Sequence, residues 1–476
     1  MLKNRLLLEW YVEPLMRRSD IVLDRNRVNA ARKTETRMAA KKKQKSSAPV
    51  TSSVEKKTSK AEKKGSETWK RVKTIVHNHV VPPLFLVFFT PIVQVLALKA
   101  IPGIPFEWDR ILGNAYSWKV VTIFLSWALT FLLIPGRTFE GPATSFGYVP
   151  VYADNGLFYY ATTFITYLGL HFVYPNLSLD IYHNMPYILG SLNIFALALC
   201  LILLIMGKWR PQTSEKMPSA PILLEFYRGM EIHPRLLGVD IKQWTNCRVG
   251  MMAWQILIVA FLIAGGRHGV NPGHLANVVI QTFYITKFYY WETGYFNTLD
   301  ITLDRAGYYI CWGCLVWVPG FYTYSSFYLV AHPSTLTEQA AFFVALLGLF
   351  IVAVNYRIDY EKQLFRATNG NCRLWGKPAK SMAAFNQISK RTSTLLLSGF
   401  WGVGRHLNYT FEIIAAFLWC FPGYGYGIWS FLYFFFLIGL LVHRCYRDEE
   451  KCSAKYGHFW NDYCKRVPYR MIPYVF

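Results

Sequence analysis

Four polar side chains interrupt a long apolar run near the C-terminus: Arg405, His406, Asn408 and Glu412. Ionisable groups at membrane depth cost several kcal/mol unless they are paired or hydrated, so they usually line an interior cavity or a ligand site. Arg405 and Glu412 share one helical face, because their separation of seven residues is about two turns. The pattern favours a ligand site. The alternative is a buried Arg405–Glu412 pair that only joins helices.

Charged residues also recur in the segment that follows the last apolar span. Asp448 stands four residues after Arg444, which in an exposed helix would only support the helix. The cations of this segment, Arg444, Arg447, Lys451 and Lys455, carry donors that suit phosphate groups. Neither a GxGxxG nor a GxxxxGK loop occurs in the chain. A bound dinucleotide would therefore be held by side chains from helices and loops.

Two further patterns precede these segments. Lys362 and Arg366 are four residues apart after an apolar span, a spacing that suits either cofactor phosphates or lipid headgroups. Acids and phenols cluster around two earlier spans, and they include Glu292, Asp300, Asp304 and Tyr322. A phenol or an acid in a dry cavity can deliver a proton, and its surroundings set the pKa for that task. For individual tyrosines the alternative is an aromatic belt with helix-end caps.

The composition indicates a membrane protein. The chain has 476 residues, of which 53% are hydrophobic, 17% aromatic and only 17% charged. These values exclude disordered, collagen-like, coiled-coil and disulfide-scaffold classes. Cys311 and Cys314 form a CxxC pattern within an apolar stretch. A redox or metal site would need accessible thiolates and further ligands, so we expect packed thiols and no metal site.

About ten apolar runs approach the 20 residues that a membrane-spanning helix requires. The clearest are 80–99, 118–134, 156–173, 185–206, 249–264, 276–290, 308–330, 340–354, 394–421 and 424–442. Backbone amides cannot stay unpaired in lipid, so these runs are predicted to be helices. The predicted fold is an all-α polytopic membrane protein with one domain over 76–476. A transporter is disfavoured, because inverted repeats and interrupted spans are not found.

Residues 1–75 are predicted to form a disordered basic tail. They hold 21 basic and 8 acidic residues, so they carry more than half of the chain's net charge of +23. They also have too little apolar surface to offset the loss of chain entropy on folding. Basic residues beside a first span predict that the N-terminus faces the cytoplasm. A nucleic-acid role is the alternative, but no DNA or RNA module follows. Met38 is an alternative start to Met1.

The C-terminal patterns resemble those of the membrane sterol reductase family. The first signature is Ser-Gly-Phe-Trp-Gly-x-x-Arg-His-x-Asn-Tyr at 398–409, and the second is Arg-Asp-x-x-x-Cys-x-x-Lys-Tyr-Gly-x-x-Trp at 447–460. The resemblance implies a ten-span fold of the endoplasmic reticulum membrane. Its C-terminal half would hold NADPH in a pocket open to the cytoplasm, beside a sterol cavity. It also implies a sterol, membrane lipids and other sterol-pathway enzymes as partners, and no nucleic acid.

The resemblance also assigns roles to single residues. Asp448 and Tyr322 match positions proposed to pass the proton. Our own hypothesis adds that Glu412 orients the cofactor amide. The remaining cofactor contacts form three groups: Lys362 and Arg366 at the adenine-side phosphates, Trp401, Arg405, His406 and Asn408 at the nicotinamide end, and Arg444 with Tyr456 completing the site.

Within the family, two further motifs look most like the delta-7 branch, the 7-dehydrocholesterol reductases. They are Cys-x-x-Lys-Tyr-Gly at 452–457 with Val-Pro-Tyr-Arg at 467–470, and Thr-Asn-Cys-Arg-x-Gly-Met-Met at 245–252. The predicted reaction is NADPH-dependent reduction of the delta-7 bond of a 5,7-diene. The alternatives are delta-14 or delta-24(28) reduction, and a non-catalytic sterol-binding protein. Three positions depart from the family pattern: Leu303 and Cys314 replace a histidine and an acid, and Glu412 replaces an aspartate.

Overall fold

The computed structural model describes residues 72, 74–103, 105, 107, 109–144, 147–213, 217–267, 269–388 and 390–476. The predicted tail, 1–75, lies almost wholly outside these residues, and its disorder stays a prediction. Residues Ile75–Phe476 form one unit.

Helices dominate this unit. The long ones are α1 (Val76–Ala100), α2 (Ala115–Leu133), α3 (Gly156–Val173), α4 (Met185–Trp209), α5 (Gln243–Gly265), α6 (Pro272–Tyr290), α7 (308–331), α8 (Glu338–Ala367), α9 (Leu407–Cys420), α10 (Leu432–Tyr456) and α11 (His458–Arg466). Short helices lie at Asp109–Leu112, Leu177–His183, Ile222–Arg228, Glu292–Tyr295, Leu299–Thr302 and Phe400–Val403, and a 3₁₀ segment at Phe421–Phe431. α7 is π-helical over Tyr308–Tyr322 and α-helical over Tyr324–Ala331.

Six helical stretches of the described residues are long and apolar enough to cross a membrane. They are Val76–Ala100, Arg110–Leu133, Met185–Trp209, Gln243–Gly265, Glu338–Ala367 and Leu407–Tyr456. The last stretch has 50 residues, which is far more than one crossing needs. A break at Gly427, whose φ is 66° and ψ −141°, divides it into α9 and α10. A multi-span helical protein is therefore confirmed, and the number ten stays a prediction.

The all-α prediction misses four short antiparallel ribbons. Their strands are β1 (Thr138–Glu140) with β2 (Val151–Ala153), β3 (Arg235–Leu236) with β4 (Val239–Asp240), β5 (Arg373–Leu374) with β6 (Lys377–Pro378), and β7 (Ser381–Asn386) with β8 (Arg391–Leu396). In the longest ribbon Ser381 pairs with Leu396 and Asn386 with Arg391. The predicted span 394–421 is therefore wrong at its start, since residues 394–396 belong to β8. Threonines at 392 and 394 favour an extended backbone there.

The packing of the C-terminal helices brings the conspicuous polar residues to one region. α8 packs against α6 and α9, and α10 packs against α9. Thr337 caps the start of α8, because its hydroxyl accepts the backbone N–H of Ala340 at 3.3 Å. The end of α8, the loop before α9 and the charged half of α10 therefore converge.

Candidate functional site

The C-terminal end of α8 meets the loop before α9 through a tryptophan. Trp401 is buried, and its indole N–H donates to the carbonyl of Ile358 at 2.8 Å. The ammonium of Lys362 lies 3.8 Å from the centre of the Trp401 ring, which is a cation–π contact. Arg366, one turn further along α8, is exposed and lies within electrostatic range of Lys362. The structure thus brings three predicted cofactor residues together.

A buried carboxylate holds this loop against α8. Glu361 is fully buried, and its two oxygens accept the indole N–H of Trp375 at 2.9 Å and the backbone N–H of Phe400 at 3.1 Å. Gly399 approaches the same carboxylate with φ 64° and ψ −150°, a conformation that only glycine adopts readily. A Cβ on Gly399 would clash with Oε2 of Glu361. Glu361 therefore fixes the backbone that carries Trp401.

Arg405 is buried by the C-terminal segment. Its Nη1 donates to the carbonyls of Val467 and Pro468 at 2.7 and 3.1 Å, and its Nη2 donates to Glu449 at 2.6 Å. The predicted alternative, a buried pair with Glu412, is wrong. Glu412 instead accepts the hydroxyl of Tyr284 at 3.0 Å. Sequence spacing could not identify Glu449, because it reaches Arg405 from another helix.

His406 stands beside Asp448, with Nε2 of the imidazole 3.7 Å from Oδ2 of the carboxylate. Burial is the main cause that lowers the pKa of His406 to about 4, so the ring is neutral near pH 7. Nε2 is buried and lacks a hydrogen-bond partner among the described residues. The Sγ of Cys452 lies 3.8 Å from the same oxygen of Asp448.

Asn408 joins the start of α9 to α8. Its Nδ2 donates to Asp359 at 3.0 Å, and its backbone carbonyl accepts from Nδ2 of Asn355 at 2.8 Å. Lys287 of α6 donates to Oδ1 of Asn355 at 2.8 Å. Within the described chain the Oδ1 of Asn408 is buried and unpartnered. Together with His406 it leaves two buried polar atoms that a ligand could satisfy.

Two arginines of α10 pair with the turn before α7. Arg444 reaches both oxygens of Asp300 at 3.1 Å, and Arg447 reaches those of Asp304 at 2.6 and 3.3 Å. We call these two pairs the arginine–aspartate clamp. Lys242 supports the turn from beneath, because its buried ammonium donates to the carbonyls of Asp300 and Asp304 at 3.1 and 2.9 Å. Arg444 is therefore oriented by an acid and is not a free cation.

Tyr322 lies among aromatic rings near the clamp. It is half-buried at the end of the π-helical part of α7, and its ring contacts Tyr433 and Trp254 at centroid distances of 4.7 and 5.2 Å. It is within electrostatic range of Asp300 and Arg444. Among the described residues, no hydrogen bond joins Tyr322 to Asp448. Arg444 stands one helical turn before Asp448 on α10.

Tyr456 lies in an apolar cluster at the end of α10. It is buried in a small cluster with Ala384, Trp460, Tyr463 and Val467. The ammonium of Lys455 lies 5.0 Å from the centre of its ring. This cluster places Tyr456 beneath β7, at the end of α10.

The altered positions Cys314 and Leu303 lie in different environments. Cys314 is buried and accepts Nδ2 of Asn246 at 3.1 Å, and Leu303 is 42% exposed beside the clamp. Cys311 is also buried, and all nine cysteines of the chain are free thiols. Among the described residues, no group of three His, Cys, Asp or Glu side chains is arranged to hold a metal ion.

Sequence reasoning missed several residues that organise the site. Asp359 and Glu361 come just before Lys362, where α8 leaves its apolar part, and two acids beside a candidate cofactor cation are a signal that could have found them. Glu449 adjoins Asp448, but nothing in its local sequence points to Arg405. Tyr284 has no distinguishing signal, because tyrosine is abundant throughout the chain.

Comparison with known proteins accounts for these motifs. Residues 54–476 match the Ergosterol biosynthesis ERG4/ERG24 family. A 7-dehydrocholesterol reductase of Arabidopsis thaliana is 40% identical over 387 residues, covering 79% of this chain and 89% of that protein. The Xenopus laevis 7-dehydrocholesterol reductase is 32% identical over 78% of this chain and 82% of its own length. A Delta(14)-sterol reductase of Dictyostelium discoideum is 30% identical over 76% and 79%. The chain therefore belongs to the Ergosterol biosynthesis ERG4/ERG24 family.

Proposed function

We propose that this protein reduces the delta-7 double bond of a sterol 5,7-diene with NADPH. Family membership and the similarity to named sterol reductases support an oxidoreductase that acts on sterols. The choice of the delta-7 bond rests on the higher identity to a 7-dehydrocholesterol reductase than to a Delta(14)-sterol reductase, 40% against 30%. The observation that carries the proposal is the meeting of Lys362, Trp401, His406 and Asn408 at the junction of α8 and α9.

These residues fit a dinucleotide. The Nε2 of His406 and the Oδ1 of Asn408 are buried polar atoms without partners in the described chain, and a carboxamide has donors and an acceptor that could satisfy them. Lys362 and Arg366 would bind the phosphates, because they are neighbouring cations on one turn of α8. Arg405 acts indirectly, since Val467, Pro468 and Glu449 occupy its Nη atoms. NADPH, when bound, supplies the hydride for the reduction.

The protein's own task is then to protonate the diene and to keep water away. Protonation of a 5,7-diene at C8 gives an allylic cation shared between C7 and C5, which makes the diene easier to reduce than an isolated alkene. Tyr322 is the proposed donor, because its ring is packed against Tyr433 and Trp254 in an aromatic wall that excludes water. Asp300 and Arg444 lie within electrostatic range and set the charge around it. Asp448 is the proposed relay residue on the cofactor side.

The proposal also includes the protein's place in the cell. Ten spans would put the long connections 134–155, 210–242, 291–307 and 368–406 on the same side as the N-terminus. Those connections carry the two aspartates of the clamp and the loop of Trp401. With a cytoplasmic N-terminus in the endoplasmic reticulum, the site would face cytosolic NADPH.

Sterol conversion by the purified full chain tests the bond. The protein would be placed in lipid nanodiscs with NADPH and given 7-dehydrocholesterol, a delta-8,14 diene or a delta-24(28) sterol, and products would be read by gas chromatography and mass spectrometry. Conversion of 7-dehydrocholesterol alone supports the proposal. Conversion of only another sterol would assign a different bond. Sterol binding without conversion would make the protein a non-catalytic sterol-binding protein.

The role of Tyr322 is tested by replacing only its hydroxyl. Tyr322→Phe should abolish turnover and leave the NADPH dissociation constant unchanged, because the ring keeps its aromatic contacts. Tyr328→Phe is the matched control, since Tyr328 lies on the same helix and stacks on His332 at 4.0 Å. Loss of both turnover and NADPH binding, or of neither, would contradict the assignment.

A further inference from the structure

The last ten residues, 467–476, form a strap across the start of α9. The backbone N–H groups of Arg405 and His406 donate to the carbonyls of Tyr469 and Arg470 at 3.0 and 2.7 Å. Further along α9, the hydroxyl of Thr410 donates to the carbonyl of Met471 at 2.8 Å. With the two contacts from the Arg405 guanidinium to Val467 and Pro468, five strap carbonyls face this segment. The strap is therefore hydrogen-bonded to the backbone that carries His406.

Glu449 links the strap to α10. Its carboxylate accepts Nη2 of Arg405 at 2.6 Å, and it also accepts Nε and Nη2 of Arg470 at 2.9 and 3.1 Å. The three side chains are 18%, 5% and 34% exposed, in the order Glu449, Arg405, Arg470. One carboxylate thus compensates two cations, one of which is buried. Removing its charge would leave both arginines without their only carboxylate among the described residues.

The strap also folds back on itself. The backbone oxygen of Phe476 accepts the N–H groups of Arg470, Met471 and Ile472 at 2.9, 2.9 and 3.1 Å. The guanidinium of Arg470 lies 5.2 Å from the Phe476 ring and 5.3 Å from the Tyr446 ring of α10. Arg470 therefore connects the two ends of the strap to each other and connects the strap to α10.

We infer that Glu449 and Arg470 are positioning residues for the cofactor site, which they serve by docking the strap. The inference rests on the proposed function. His406 contributes an unpartnered Nε2 to that site, and its backbone is fixed by the carbonyl of Arg470. A released strap would free the backbone of Arg405 and His406 together. The cofactor would then bind to a less organised site, at a cost in affinity.

NADPH binding to the full chain in nanodiscs tests this inference, measured by energy transfer from tryptophan to the nicotinamide. Glu449→Gln should weaken NADPH binding about tenfold, the usual effect of removing a charge-assisted hydrogen bond. It should raise the KM for NADPH and leave kcat at saturating NADPH nearly unchanged. The matched control is Glu450→Gln, at the next position of α10 and exposed. Glu449→Asp, which keeps the charge, should recover most of the affinity.

A second readout follows the strap itself. Trypsin cleavage after Arg470, read by intact mass, should be several-fold faster in Glu449→Gln than in the unaltered chain or the control. Normal NADPH affinity in Glu449→Gln, or cleavage at the control's rate, would overturn the inference and leave the proposed function standing. Failure of the unaltered chain to bind NADPH would overturn both.

Discussion

Replacing Gly399 by alanine should displace the loop that carries Trp401. Gly399 has φ 64° and ψ −150°, and an added Cβ would clash with Oε2 of the buried Glu361. The same oxygen accepts the N–H of Phe400 at 3.1 Å. The loop must therefore move away from α8, break this hydrogen bond and shift Trp401 from Lys362.

A matched glycine, Gly427, separates the loss of stability due to the clash from the loss due to backbone strain. Gly427 has nearly the same backbone, φ 66° and ψ −141°, and a Cβ added there would meet no atom within 4 Å. An alanine at either position carries backbone strain of about 1–3 kcal/mol. Only Gly399→Ala adds the clash and the lost hydrogen bond to a buried carboxylate, worth about 1.5–3 kcal/mol. We expect Gly399→Ala to be less stable than Gly427→Ala by about 2 kcal/mol.

Unfolding of the purified chain in detergent, followed by tryptophan fluorescence, measures this difference. NADPH titration of the same samples should show weaker binding for Gly399→Ala only. In a Glu361→Ala background the clashing oxygen is gone, so the two alanine variants should differ by less than about 0.5 kcal/mol. Equal losses of stability in the unaltered background, or normal NADPH binding by Gly399→Ala, would refute the reasoning.

Two further predictions concern charged groups near the site. A double-mutant cycle of Asp304→Asn and Arg447→Gln should give a coupling free energy of unfolding of about 1–2 kcal/mol, because the pair is bidentate and partly exposed. A coupling near zero would show that the clamp does not stabilise the fold. The pKa of His406 falls to about 4 on folding, so between about pH 6.5 and 4 the unfolded chain binds a proton that the folded chain does not. The free energy of unfolding is therefore at its full value above this window. It declines as the pH falls through the window, by about 1.4 kcal/mol per pH unit. His406→Gln should flatten that decline in acid-unfolding measurements, and an unchanged slope would contradict the neutral imidazole.

The helices and the polar residues of the site could be predicted from the sequence, but most partners of these residues could not. Apolar runs and the Arg405–His406–Asn408 motif were recognisable because membrane depth makes each polar residue conspicuous. The partner of Arg405 was not, since Glu449 is 44 positions away, and Arg405 lies in the turn before α9 while Glu412 lies within that helix. Likewise the end of β8, residues 394–396, adjoins an apolar run, and apolar composition cannot distinguish a short strand from a helix. The pairing of Asp300 with Arg444 depends on how distant helices pack.

The arginine–aspartate clamp also has a consequence for how the chain is made. Asp300 and Arg444 are 144 residues apart, and Asp304 and Arg447 are 143 apart. At 5–20 residues per second, synthesis leaves both aspartates without their arginines for roughly 7–30 s. Lys242 precedes them and donates to the carbonyls of that turn, so it can hold the turn during the wait. A chain that stops before Arg444 therefore lacks both arginines of the clamp and keeps Lys242 as the cation against this turn.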